Sequence, residues 1–123
     1  MTSQGSPYHR FRHALDRGNT LQALSAATEL QQVGLADALE LLILLGRSDD
    51  HARFRRGVVR WHARYCRETA ELEPAEAQAV LGLLIMLGRP RRAQAAHALF
   101  RLLDRSATRQ AGEALLRSVE ADG

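Results

Sequence analysis

Leu41-Leu-Ile-Leu-Leu-Gly-Arg47 and Leu83-Leu-Ile-Met-Leu-Gly-Arg89 match almost residue for residue at an offset of 42. Neither shows the strict alternation of a half-buried strand, and both sit inside longer helical patterns. The first copy is extended upstream by Leu39, the second by Val80 and Leu81. A helix without a polar face must be buried on all sides, so these two segments are expected to form the centre of an all-α fold, flanked by amphipathic helices. The glycine of each copy ends its helix. On this reading an aspartate in place of Ile43 or Ile85 places an unpaired carboxylate in the core and unfolds the chain. A period near 42 with one helix pair per unit falls in the range of helical solenoids, with units at 35–72 and 74–105. The alternative is that two leucine-rich helices converge on the same glycine stop.

Outward from these segments the pattern stays helical. Residues 1–6 read as a disordered tail, and Pro7 opens a first helix over 8–17 that Gly18 closes. Asn19 is a good N-cap, with Gln22 completing a capping-box pattern. The helix it starts is expected to reach about Gln32 and to stop at Gly34. A third helix spans about Leu35–Leu45, with Asp37 in its favourable first turn. Ser48 is expected to cap a fourth, the longest, which carries Asp49 and Asp50 in its first turn and runs to about Leu72. Pro74 begins a fifth that ends at Gly88, and Pro90 a sixth that reaches about Arg105. Ser106 or Thr108 caps a seventh that ends near Val119, and residues 121–123 fray. The expected architecture is six to seven short helices in antiparallel pairs, in a solenoid-like or orthogonal bundle. Its extent is one domain over 7–120.

Bulk properties bound the function classes. A chain of 123 residues buries enough surface to need no disulfide or metal, and its lone cysteine, Cys66, permits no internal bridge. Met1–Pro7 lacks the basic and apolar regions of a secretory signal. The longest apolar stretch, Ala79 to Leu87, is about half of what crosses a bilayer. A cytoplasmic protein away from the membrane is therefore expected.

All seventeen basic side chains are arginine, which together with abundant Ala, Leu and Gly suits a GC-rich coding sequence. Their placement is uneven. Between Arg47 and Arg67, seven arginines face only Asp49 and Asp50, a net of +5, so the rest of the chain sums to −2. Glu68, Glu71, Glu73 and Glu76 follow directly.

The fourth helix carries the most specific pattern. Phe54, Val58, Trp61 and Tyr65 recur at spacings of 4, 3 and 4, an apolar stripe for the core. Arg53, Arg56, Arg60, Arg64 and Arg67 recur at 3, 4, 4 and 3, and one residue is about 100° of helix rotation, so they form a basic ridge beside that stripe. Such a ridge suits an acidic protein surface or a phosphate backbone; the ordinary alternative is a solvated face whose arginine stems cover apolar edge. Arg64–Glu68 and Arg67–Glu71 are candidate i, i+4 pairs, which leaves Arg53, Arg56 and Arg60, with Arg55 nearby, less compensated. Trp61 packs in the core, or, if half exposed beside the arginines, acts as an interface anchor. A helix–turn–helix is disfavoured, because the small residue needed four positions before the turn glycine is Leu42 or Leu84.

Catalytic and metal chemistry find little to work with. His9 and His13, like His62 and Cys66, are pairs of soft ligands one turn apart, but a structural zinc needs about four ligands and a catalytic one about three. Neither HExxH nor a glycine-rich phosphate loop is present. Cys66 beside Arg67, with His62 one turn away, could have a lowered thiol pKa, yet no oxyanion loop accompanies it. No catalytic residue, metal or cofactor is therefore assigned.

The stretches Phe11-Arg-His-Ala-Leu-Asp-Arg-Gly-Asn19, Ala26-Ala-Thr-Glu-Leu30 and Leu35-Ala-Asp-Ala-Leu-Glu-Leu41 resemble a group of small all-helical actinobacterial proteins, most clearly over residues 11–45. The shared residues are helix caps and core positions, so the resemblance implies the fold and carries over no functional residue. The reading of the whole is a non-catalytic helical interaction module. It binds a protein partner with an acidic surface, or alternatively nucleic acid, through Arg53, Arg56, Arg60, Trp61 and Arg64, with Arg89, Arg91 and Arg92 nearby; a homodimer is also open.

Overall fold

Ser6, expected to be the last residue of the tail, is the N-cap of the first helix: its hydroxyl accepts the amide of His9 at 3.2 Å. Proline at the next position has no amide to leave unsatisfied there. This computed structural model describes residues 6–88 and 92–103, and over them the protein is all-α, with six helices and no strand. The expected tail at 1–5, Pro90 as a helix opener and the expected seventh helix lie outside the described residues. The contacts cluster into two compact units, divided after Gly34.

In the first unit, α1 (Pro7–Asp16) packs on α2 (Thr20–Thr28). Phe11, Ala14 and Leu15 of α1 and Ala23 and Ala26 of α2 are buried. Gly18 makes the reversal, at φ +69. Its amide reaches Leu15 O at 3.0 Å and that of Asn19 reaches Ala14 O at 2.9 Å, the bonding pattern of a Schellman turn, whose left-handed residue is glycine because a side chain there is strained. Asn19 Oδ1 then accepts the amide of Gln22 at 3.1 Å, while Gln22 accepts from Arg17, so half of the capping box forms. An ion pair from Arg10 to Glu29 at 2.6 Å closes the hairpin. The second helix ends at Thr28, short of the expected Gln32. Thr28 Oγ1 donates to Ser25 O at 2.6 Å, and such hydroxyl bonds compete with the helical ladder.

In the second unit, α3 (Leu35–Arg47), α4 (His51–Glu68), α5 (Pro74–Met86) and α6 (Arg92–Leu102) each pack on the next in chain order. Trp61 Nε1 donates to Leu35 O at 2.9 Å, and a Cβ on Gly57 would lie 2.8 Å from Leu42 Cδ1, so α3 and α4 run antiparallel. His62 Nε2 lies 2.7 Å from Ala77 O and Phe54 lies against Gly88, so α4 and α5 run antiparallel too. The expected centre of α3 against α5 is not found, because α4 lies between them. The third helix has no exposed residue from Leu35 to Gly46: Leu39 and Leu42–Gly46 are buried and the others half-buried. The fifth is not: Val80 and Leu84 are buried, but Ile85 is 45% exposed. It packs on α4 and α6, and Gln78, Gly82 and Ile85 stay exposed.

The two near-identical segments meet at their glycines. A Cβ on Gly46 would lie 3.1 Å from Leu87 O and 3.2 Å from Phe54 Cε1, and one on Gly88 would lie 2.8 Å from Phe54 Cε2. The Phe54 ring thus leaves no room for a side chain at Gly88, while at Gly46 the Leu87 carbonyl and the ring edge make a tight fit. Gly46 is still helical; α3 ends one residue later.

Candidate functional site

The surface at issue is built on α4, and the chain fixes both of its ends. Asp50, expected inside the first turn, is instead the N-cap: its Oδ1 accepts the amide of Arg53 at 3.1 Å. Ser48, the expected cap, donates to Leu45 O at 2.7 Å and so belongs to the end of α3. The helix stops at Glu68, four residues before the expected Leu72, with Thr69 extended and Glu71 at φ +55. Carboxylates at 68, 71 and 73 oppose the negative end of a helix dipole and disfavour further turns. What remains is one unbroken helix of 18 residues, about 27 Å long.

One face of that helix is core. Phe54, Val58, Trp61 and Tyr65 are all buried, and the Trp61 and Tyr65 rings stack at 5.7 Å and 11°. Trp61 is 3% exposed with its indole N–H bonded to Leu35 O. Its expected place in a contact surface is therefore corrected: its ring is spent on packing and its donor on the start of α3.

The arginines spread over the other side. Arg53 is partly neutralised, its Nε 3.6 Å from Asp50 Oδ2. Arg64 pairs with Glu68 at 3.0 Å, and its side chain is 25% exposed, so it lies along its own helix. The expected Arg67–Glu71 pair does not form, because α4 has ended before Glu71. Arg55, Arg56, Arg60 and Arg67 are exposed, and no described carboxylate pairs with them. The structure thus brings Arg53, Arg56, Arg60 and Arg67 together on one exposed face, with Arg55 exposed about 100° further round the helix from Arg56, keeps Arg64 at the edge of that face and removes Trp61. Arg89 and Arg91 lie outside the described residues, as does the side chain of Arg92.

One residue on this face escaped the sequence reading. Val59 is 65% exposed, next in the chain to buried Val58 and flanked on the helix surface by Arg55 and Arg56 one turn before it and by His62 and Ala63 one turn after. A β-branched residue gains nothing for an exposed helix, and its role is not in the core.

The remaining candidates are accounted for locally. His62 and Cys66 do approach, Sγ to Nδ1 at 3.8 Å, but a carbonyl only accepts, so His62 Nε2 carries the proton given to Ala77 O. The His9 and His13 rings stack at 6.3 Å on the exposed side of α1. Among the described residues no group of three or more His, Cys, Asp or Glu gathers around a common point, and no helix is long and apolar enough to cross a membrane. Compared with family models, with curated proteins and with solved structures, the chain matches none.

Proposed function

We propose that this chain is a non-catalytic helical interaction module whose basic α4 face binds an acidic protein surface. One observation carries the reading: Arg55, Arg56 and Arg60 stand exposed, with no described carboxylate to pair with. Seven basic charges concentrated between Arg47 and Arg67 in a chain of net +3 create a local field that steers an acidic partner. Nucleic acid is the second reading of the same guanidinium groups. Val59 favours protein, since a phosphate backbone makes no use of an exposed valine among the cations. In this reading the protein works in a reducing cytoplasm, where the exposed Cys66 stays a thiol.

The test is binding of two probes, poly-glutamate and a DNA duplex, to the full chain and to the variant Arg55→Gln, Arg56→Gln, Arg60→Gln. The reading expects poly-glutamate binding that the variant weakens about tenfold or more. Duplex binding that outcompetes poly-glutamate, with a log–log salt slope that falls by about three units in the variant, supports nucleic acid instead. Poly-glutamate binding left unchanged by the variant removes α4 from the account.

A further inference from the structure

The outward side of α4 is itself a helix-pairing seam. Ala52, Arg56, Val59, Ala63 and Cys66 are all exposed and recur at spacings of 4, 3, 4 and 3, the alternation with which one helix packs against another. It lies across the helix from the buried stripe of Phe54, Val58, Trp61 and Tyr65, so α4 carries two seams and the described residues cover one. In heptad terms Ala52, Val59 and Cys66 hold d, and Arg56 and Ala63 hold a. The positions that flank a seam and choose its partner, e and g, are then Arg53, Arg60 and Arg67 on one side and Arg55 and His62 on the other.

That flanking set is without a carboxylate. In paired helices the e and g side chains meet across the seam, and like charges there repel. A second copy of α4 would bring arginine against arginine, which disfavours self-association through this face. A helix with Glu or Asp at its own e and g positions would meet a guanidinium at four of the five flanking sites. The seam is narrow, with alanine at 52 and 63, and so admits large apolar side chains from the partner. A charged residue at a single a position, here Arg56, sets the register of such a pair.

We infer that α4 docks an acidic amphipathic helix of another protein, laid along residues 52–67 with Val59 at the middle of the contact. The inference rests on the α4 reading given above and sharpens it from an acidic surface to a helix with a heptad pattern.

Fluorescence anisotropy on the full chain tests it with three labelled probes. One is a synthetic helix about three heptads long, with leucine at its seam and glutamate at e and g, whose own charges keep it from pairing with itself. The second has the same composition in permuted order, and the third is an oligonucleotide of equal charge. The ordered helix is expected to bind about tenfold more tightly than the permuted one, and Val59→Asn to remove most of that advantage. Val59 is 65% exposed, so the variant should keep the thermal unfolding curve of the parent, which checks that it is folded. Equal binding of both peptides, unchanged by Val59→Asn yet weakened by Arg55→Gln and Arg60→Gln, overturns the seam and leaves the basic face standing. Tighter binding of the oligonucleotide, or no binding of the ordered helix, also overturns the seam. Indifference of every probe to the arginine substitutions overturns both.

Discussion

Gly82, Gly57 and Gly88 are all within or beside helices, yet they face different neighbours. A Cβ at Gly82 meets nothing within 4 Å, so Gly82→Ala is expected to stabilise the protein by up to about 1 kcal/mol through helix propensity alone. At Gly57 the nearest atom is the end of a flexible leucine, Leu42 Cδ1, which can turn aside. At Gly88 it is the Phe54 ring, held from its other edge by Gly46. Gly88→Ala is therefore expected to cost about 1–3 kcal/mol, with Gly57→Ala between the two. Urea unfolding of the three variants gives the order directly. The isoleucines of the repeated segment separate the same way: Ile43 is 2% exposed and Ile85 45%. Ile43→Asp should lose at least about 3 kcal/mol, whereas Ile85→Asp should stay within about 1 kcal/mol. Equal losses at the two positions would contradict the open side assigned to α5.

At the scale of elements, what could be read in advance depended on whether the pattern had a direction. The inward stripe of α4 was legible because aromatic and arginine residues alternate around the helix, and the structure keeps all four stripe residues in the core. Uniformly apolar α5 has no such direction, so burial on every side followed from its composition, and the position of its neighbours decided otherwise. Val59 was passed over because the 4, 3 and 4 spacing of the stripe runs through Val58 alone, and the two neighbours are 65% and 2% exposed. The ends of α2 and α4 turn on hydroxyl bonds and on a left-handed glutamate, neither of which periodicity reports. Trp61 now makes a distinct prediction. Trp61→Phe removes the bond to Leu35 O and should cost about 1–2 kcal/mol, while leaving the affinity of the folded protein for an acidic helix unchanged. A loss of affinity without a loss of stability would return the indole to the surface.

At the scale of the molecule, the fold class was legible from caps and glycines, since each describes a local event. Where compact units begin and end was not, because that depends on contacts between helices. Gly34 closes one unit, and the α3–α6 run that follows keeps α4 between α3 and α5 with its arginines outside. That arrangement gives the described residues a basic face on α4 while the buried stripe holds the helix in place. The claim is tested most directly by following backbone amide and arginine Nε–Hε resonances of the full chain by NMR as the acidic heptad peptide is added. The account predicts shifts confined to α4, at Ala52, Val59 and Ala63 and at the Nε–Hε groups of Arg53, Arg55 and Arg60, with Trp61 Nε1–H unmoved. Shifts centred on α5 or on the first unit, with α4 silent, would contradict it.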